Sequence, residues 1–375
     1  QVKASRAAGD AGAGRRAASD ALAAAEEAGD ARLEGAAHAA LARLALAEGK
    51  PAAAQAEFDA ALEAQRAAND AAGERRTLLG LGDAHRAAGD LLHAVESYGT
   101  ARDLAQAAND RTAELLAFLG LARAHGAGGS ATRAADAFRK ALRLARSEGH
   151  QEAELEALLG LGRASAAAGK TGAAGTHFRA ALNLAGESGQ IRAELAAHQA
   201  LGEIAADESD ATAHFSTALT LARSLGDREA EVDAALRLVT VAAGEEARAD
   251  ALRSMPAALT ISGKRGDKAG ELIALRALAA ERRASGDLRG AIGDYLTALP
   301  LATAQGDQAS LSDVRAGLAE AYTALGETGA AIEHDRWALV HIRQAADREL
   351  EIKVLCRLAG AEAAAGENVD AARHY

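Results

Sequence analysis

Residues 109–146 read N-D-R-T-A-E-L-L-A-F-L-G-L-A-R-A-H-G-A-G-G-S-A-T-R-A-A-D-A-F-R-K-A-L-R-L-A-R. Apolar residues recur every three or four positions on either side of Gly128-Gly129-Ser130, which puts one apolar stripe on each of two helices joined by a turn. The rest of the chain repeats this unit. One column runs Leu41, Leu81, Leu121, Leu161, Leu201, Leu238, Leu278, Leu318 and Leu358, in steps of 40 with a single step of 37. A second column keeps the same steps through Phe58, Tyr98, Phe138, Phe178, Phe215, Met255, Tyr295, Asp335 and Tyr375. A third is alanine throughout: Ala21, Ala61, Ala101, Ala141, Ala181, Ala218, Ala258, Ala298 and Ala338. Three columns sharing one phase and one deletion define a repeat array.

The period therefore predicts a single elongated array in residues 1–375, each unit touching its neighbours. A half repeat spans 1–30, full repeats span 31–70, 71–110, 111–150, 151–190, 191–227, 228–267, 268–307 and 308–347, and a partial repeat spans 348–375. Residues 1–8 fall at the middle of a first helix and Gly9-Asp10 on the turn inside a repeat, so the chain reads as opening in mid-unit. It stops in the aromatic column, so neither end reads as a polar cap. Gln1 in place of an initiator methionine is compatible with an upstream segment or a removed signal.

Each unit reads as helix A, turn, helix B, turn. Gly29-Asp30, Asn69-Asp70, Asn109-Asp110, Gly149-His150, Gly189-Gln190, Gly226-Asp227, Gly266-Asp267, Gly306-Asp307 and Asp347 mark turns between units. Gly49-Lys50, Gly89-Asp90, Gly129-Ser130, Gly169-Lys170, Gly286-Asp287, Gly326-Glu327 and Gly366-Glu367 mark turns inside them. Gly or Asn closes one helix in the left-handed region, and the following Asp caps the next. A glutamate then sits in the first turn of nearly every helix A, from Glu34 and Glu74 to Glu351, where the helix dipole favours it. That recurrence reads as capping and not as catalysis.

Composition agrees. Hydrophobic residues make up 49% of the chain and aromatics 3%, with three prolines in 375 residues, so the apolar content is largely helix-favouring alanine. Net charge is -11 with both signs interspersed, so no basic stripe argues for nucleic acid. No apolar run is long enough to span a membrane. The lone Cys356 excludes an internal disulfide framework and fits a reducing, cytoplasmic compartment.

The residues resemble the tetratricopeptide repeat, whose pattern is Leu-Gly followed by an aromatic, then Ala-x3-Phe. Leu81-Gly82, Leu161-Gly162 and Leu201-Gly202 supply the pair, and Tyr322 the aromatic that follows it. Ala54/Phe58, Ala94/Tyr98, Ala134/Phe138, Ala174/Phe178, Ala211/Phe215 and Ala291/Tyr295 supply the second half. The family's usual period is about 34 residues; the longer period here is similar to that of LGN/Pins-type scaffolds and bacterial signalling arrays, best seen in residues 284–307. The early helix-A tryptophan and the asparagine ladder of the LGN/Pins group are absent. The resemblance implies an all-α, right-handed α-solenoid of antiparallel helix pairs whose A helices line a concave face.

On that face the positions two before and two after the column leucine give Arg43, Asp83, Arg123 and Arg163 beside Leu79, Leu119 and Leu159. Arginine forks suit carboxylates and leucines suit apolar side chains, which points to an acidic-hydrophobic peptide. The alternative for these residues is solvated arginines over leucines packed between helices. Trp337, the only tryptophan, is a candidate second interface or a replacement for packing lost at Asp335. Residues 203–260, with their deletion and Met255-Pro256, and the later Pro300 predict bent helices; the region reads as a change of pitch or a hinge, with simple drift of an old repeat as the alternative.

Signals of chemistry fail. Gly169-Lys170-Thr171 lacks the leading glycine and the strand of a P-loop, and Gly80-Leu81-Gly82 and Gly160-Leu161-Gly162 read as close-packing positions. The eleven histidines contain no His-x3-His pair, so no metal is expected, and Cys356 lacks a base. No catalytic residue or cofactor is predicted. The expected function is a non-catalytic protein- or peptide-binding scaffold; the alternatives are a sensor or autoinhibitory arm of a larger signalling protein, or self-association through uncapped ends.

Overall fold

The computed structural model describes residues 2–242, 244–345, 348–365, 371 and 374, with backbone alone for 2–11, 344 and 345. Asp347, the Gly366-Glu367 turn and Tyr375 lie outside the described residues. Among those described there are nineteen α-helices and no strand, and the chain divides into two compact units, residues 1–200 and 201–375.

The first unit contains α1 (Val2–Ala28), α2 (Ala31–Ala47), α3 (Pro51–Ala67), α4 (Ala71–Ala87), α5 (Leu91–Ala107), α6 (Arg111–Ala127), α7 (Ala131–Glu148), α8 (Gln151–Ala167) and α9 (Thr171–Ser188). Next, α10 (Ile191–Glu203) crosses the division between the units. The second unit continues with α11 (Glu208–Leu225), α12 (Arg228–Val241), α13 (Glu245–Leu252), α14 (Met255–Arg265), α15 (Lys268–Ala284), α16 (Leu288–Gln305), α17 (Gln308–Leu325), α18 (Thr328–Ala345) and α19 (Arg348–Ala364).

The turns follow the sequence. Asn69 and Asn109 adopt φ of 51° and 54°, a conformation that asparagine tolerates better than most side chains. Behind Asn109 the chain closes with Asp110 N–H donating to Ala105 O at 2.9 Å, and Asp110 then accepts from Ala113 N–H at 3.0 Å. Aspartates 30, 70, 90, 227, 267, 287 and 307 cap their helices in the same way. The glutamate of helix A does more than suit the dipole. It accepts from a side chain eight residues earlier, across the turn: Arg66 to Glu74 at 2.7 Å, Gln106 to Glu114 at 2.8 Å, Arg146 to Glu154 at 2.7 Å and Arg343 to Glu351 at 2.8 Å. In these units the staple ties helix B to the next helix A.

Packing explains the three columns. The alanines from Ala61 to Ala338 are fully buried, so a larger side chain there would cost about 1–3 kcal/mol in overpacking. Ala21 is exposed; α1 packs chiefly against α2. Every described residue of the aromatic column is buried. Each aromatic ring rests against a glycine. A methyl group on Gly82 would approach the Tyr98 ring to 2.6 Å, and one on Gly120, in the next helix A, would also strike Tyr98. Gly80 receives Phe58, Gly160 receives Phe138, Gly162 receives Phe178, Gly202 receives Phe215 and Gly317 receives Tyr295. The paired glycines of the A helices are thus seats for aromatic rings from helix B.

Two expectations need correction. Gly9-Asp10 makes no turn: α1 continues through it as helix. Pro256 does not bend a helix from within. The region divides into α13 and α14, and Pro256 occupies the first turn of α14, where its missing N–H is not needed. Pro300 does lie inside α16, which runs on without a break; both Pro300 and Leu296, whose carbonyl loses its partner, are exposed, so water can satisfy that carbonyl. At the deletion, α10 shortens to 13 residues and Asp207 caps α11 from an extended conformation, replacing the glycine turn.

Candidate functional site

In the first unit α2, α4, α6 and α8 supply the groove residues singled out by sequence. Arg43, Arg123 and Arg163 are exposed, Asp83 and Leu79 half-buried, and Leu119 and Leu159 buried at 2% and 9% exposure. The leucines are therefore chiefly packing residues, and the apolar surface open to a ligand comes from elsewhere. Arg123 and Arg163 line one cleft of about 380 Å³ between α6, α7 and α8, whose floor is Phe138 with Ala134, Gly160 and Ala164. Phe138 reaches it because Gly160 has no side chain to cover the ring.

The two arginines differ in how they are held. Arg123 forms a bidentate pair with Glu156, Nε to Oε1 at 2.6 Å and Nη2 to Oε2 at 2.5 Å. Desolvation alone would lower its pKa, but Glu156 outweighs that and holds it above the ordinary arginine value. Arg163 forms no ion pair or side-chain hydrogen bond among the described residues, so its guanidinium is available to a carboxylate. Asp83 is committed, accepting from the Tyr98 hydroxyl at 2.7 Å and from Arg86 at 3.4 Å. Burial and then the Asp83 carboxylate push the Tyr98 hydroxyl far above its ordinary value, so it stays a neutral donor.

The second unit has its own cleft, of about 460 Å³, on helices α12, α15 and α17. Here the walls carry Arg276, Arg283, Asp313 and Glu320, largely neutralising one another: Arg276 pairs with Asp313, and Arg283 with Glu320 at 2.7 Å. Of these four, only Arg276 and Glu320 stand in the two groove columns read from the sequence, so the cleft did not stand out there. Trp337 is 49% exposed beside Val340 at 47%, and the Arg315 guanidinium lies 5.4 Å from its ring centroid. Packing around Asp335 is restored by other means: Arg357 reaches its carboxylate, Nη2 to Oδ1 at 2.5 Å, and donates to Glu320 at 2.8 Å. Trp337 is thus a surface residue, not a substitute for the lost aromatic.

Cys356 is exposed with no base assigned to it, and Gly169-Lys170-Thr171 forms the α8–α9 turn. Sequence reading missed one group: His85, Asp90 and His93 come together across the α4–α5 turn.

No family model matches the chain, and no curated protein matches it. Solved structures do. Aspartyl phosphate phosphatase F from Bacillus subtilis is similar over 75% of this chain and 73% of its own, with a TM-score of 0.55 at 13% identity. A signal transduction ATPase with numerous domains and a tetratricopeptide repeat sensor, from Pyrococcus horikoshii, is similar over 91% of this chain and 52% of its own, with a TM-score of 0.55 at 14% identity. The apo form of RapI is similar over 72% of this chain and 98% of its own, with a TM-score of 0.50 at 15% identity. The protein has a tetratricopeptide-repeat-like, all-helical solenoid fold.

Proposed function

We propose that the protein is a non-catalytic peptide-binding scaffold whose ligand is an acidic-hydrophobic segment seated in the cleft between α6 and α8. The observation that carries this reading is the pairing of an uncommitted Arg163 with an apolar cleft floor of alanines and glycines over the buried Phe138. A peptide carboxylate would bridge to Arg163, and the adjacent apolar side chain would cover Phe138 and the alanines around it. Arg123, already bound to Glu156, would align the ligand without giving up its partner. Arg43 and Asp83 would flank the peptide, and Leu79, Leu119 and Leu159 would hold the helices behind it.

A peptide array displaying acidic, apolar and mixed segments tests this. Wild-type protein should retain segments in which Asp or Glu adjoins a bulky apolar residue, and Arg123→Glu with Arg163→Glu should lose them while keeping its helical melt. Equal retention by the double variant would exclude this cleft.

A second reading, a sensor arm within a larger signalling protein, is favoured by the Pyrococcus neighbour, whose name carries a tetratricopeptide repeat sensor and whose chain extends well beyond the similar part. It uses the same cleft, with the acidic segment supplied in cis. Concentration-dependent mass would point instead to self-association.

A further inference from the structure

The turn inside residues 71–110 carries a constellation found in no other unit among the described residues. His85 ends α4, Asp90 caps α5, and His93 lies in the first turn of α5. Asp90 uses its two oxygens for separate tasks. Oδ1 accepts from the His93 backbone N–H at 3.2 Å, the ordinary capping bond, while Oδ2 faces both imidazoles, 2.6 Å from His93 Nδ1 and 3.9 Å from His85 Nδ1. The rings lie 5.4 Å apart, tilted by 31°. One donor atom from each of the three residues lies within 4.8 Å of the others.

The bland explanation is a capping carboxylate that attracts nearby cations, and the array provides its own control for it. At Asp287 the repeat places Arg282 where His85 stands, 3.9 Å from the cap, and Gly290 where His93 stands. One cation beside the cap serves a structural purpose there, whereas two imidazoles converging on one carboxylate form a different kind of group. A tetrahedral ion with bonds of about 2.0–2.2 Å spaces its donors by roughly 3.3 Å. The three donors straddle that spacing on a hairpin whose cap already fixes the carboxylate. The His93 side chain is 56% exposed and can adjust, whereas His85 is 19% exposed and is braced by Gln55 of α3, 3.2 Å from its Nδ1. Gln55 contacts the same nitrogen that faces Asp90, so it holds the ring in place and leaves Nε2 as the nitrogen free of that contact.

We propose that His85, Asp90 and His93 form a binding site for a divalent transition metal of the zinc class, with water completing the coordination sphere on the exposed side. Two imidazole nitrogens and one carboxylate oxygen suit zinc, nickel or copper and disfavour magnesium and calcium, which prefer all-oxygen shells. The ion clamps the α4–α5 hairpin at its turn and stands beside α3 through Gln55. Sequence spacing concealed the site, since His-x4-Asp-x2-His converges only when Gly89 folds one helix back on the other.

Isothermal titration of the full chain with zinc chloride, in a buffer that does not coordinate the metal, tests this. Wild-type protein should take up one ion per chain saturably and melt at a higher temperature with zinc than with magnesium. His93→Ala should weaken uptake by about tenfold or more. Asp90→Asn, which keeps a capping side chain, should do the same without loss of helix. His38→Ala, which removes an imidazole that pairs with Glu57 alone, should leave the high-affinity event intact. Unchanged zinc affinity in both His93→Ala and Asp90→Asn would overturn the site, as would the absence of saturable binding by the wild-type chain.

Discussion

Tyr98 in the first unit and Asp335 in the second stand in the same column and are packed by opposite means. Tyr98 is an apolar ring between two glycines, Gly82 and Gly120, with its hydroxyl passed to Asp83. Asp335 is fully buried, and the position that would hold its receiving glycine is Arg357, which grips it with two nitrogens and also binds Glu320. The register therefore specifies a volume to fill and leaves its chemistry open, provided that both partners change together. A ring on glycine tolerates loss of one contact, but a buried carboxylate depends on a single guanidinium.

The largest expected effect breaks the ionic half. Arg357→Ala leaves Asp335 buried without its counter-charge and should cost about 3–5 kcal/mol in denaturant unfolding. Converting the pair to the other solution, Asp335→Phe with Arg357→Gly, should recover that loss and can add about 1–4 kcal/mol over the wild type. Failure to regain wild-type stability would show that the two solutions are not interchangeable.

Glycine substitutions sharpen the apolar half. Gly120→Ala drives a methyl into the Tyr98 ring and should destabilise by about 1–3 kcal/mol. Gly99→Ala, on α5 with no heavy atom within 4 Å of its new methyl, should stabilise by about 0.5–1 kcal/mol. Equal effects would remove the seat as an explanation of the glycine pairs.

Acid separates the charged groups. Burial opposes ionisation of Glu231, but its bonds from Ser254, Arg228 and Arg223 prevail and hold its pKa below the ordinary 4.5. Its stabilisation is thus complete above 4.5 and is lost as pH falls through the lower folded value. Asp335 runs the other way: burial raises its pKa above 3.8 despite Arg357, so its contribution falls as pH rises from 3.8 through the folded value. Melting temperatures between neutral pH and about pH 3 should fall less steeply for Glu231→Gln than for the wild type. The smallest effect is on Arg163→Glu, whose stability should stay within about 0.5 kcal/mol of wild type.

Much of this was legible in the sequence because repetition multiplies weak signals. Any one leucine, aromatic or glycine turn means little, but nine in phase locate the helices and their buried faces. What repetition cannot show is a coordinated exception. Asp335 looks like a lapse until Arg357, 22 residues on, is seen to fill the glycine seat, and His85, Asp90 and His93 look scattered until a turn folds them together. The stripe of Leu79, Leu119 and Leu159 shows a related limit: position on helix A placed them near the groove, but close helix packing drew Leu119 and Leu159 into the core. Pro256 shows another, since the same residue bends a helix or begins one according to where the preceding segment ends.

The peptide site is tested most directly by placing a photoreactive group beside the acidic residue of an acidic-hydrophobic peptide and mapping its crosslinks on the full chain by mass spectrometry. The account predicts crosslinks on α6 and α8 around Arg123, Arg163 and Ala167, lost on Arg163→Glu. Crosslinks confined to α18 around Trp337 and Val340, or to the α12–α17 cleft around Arg276, would contradict it.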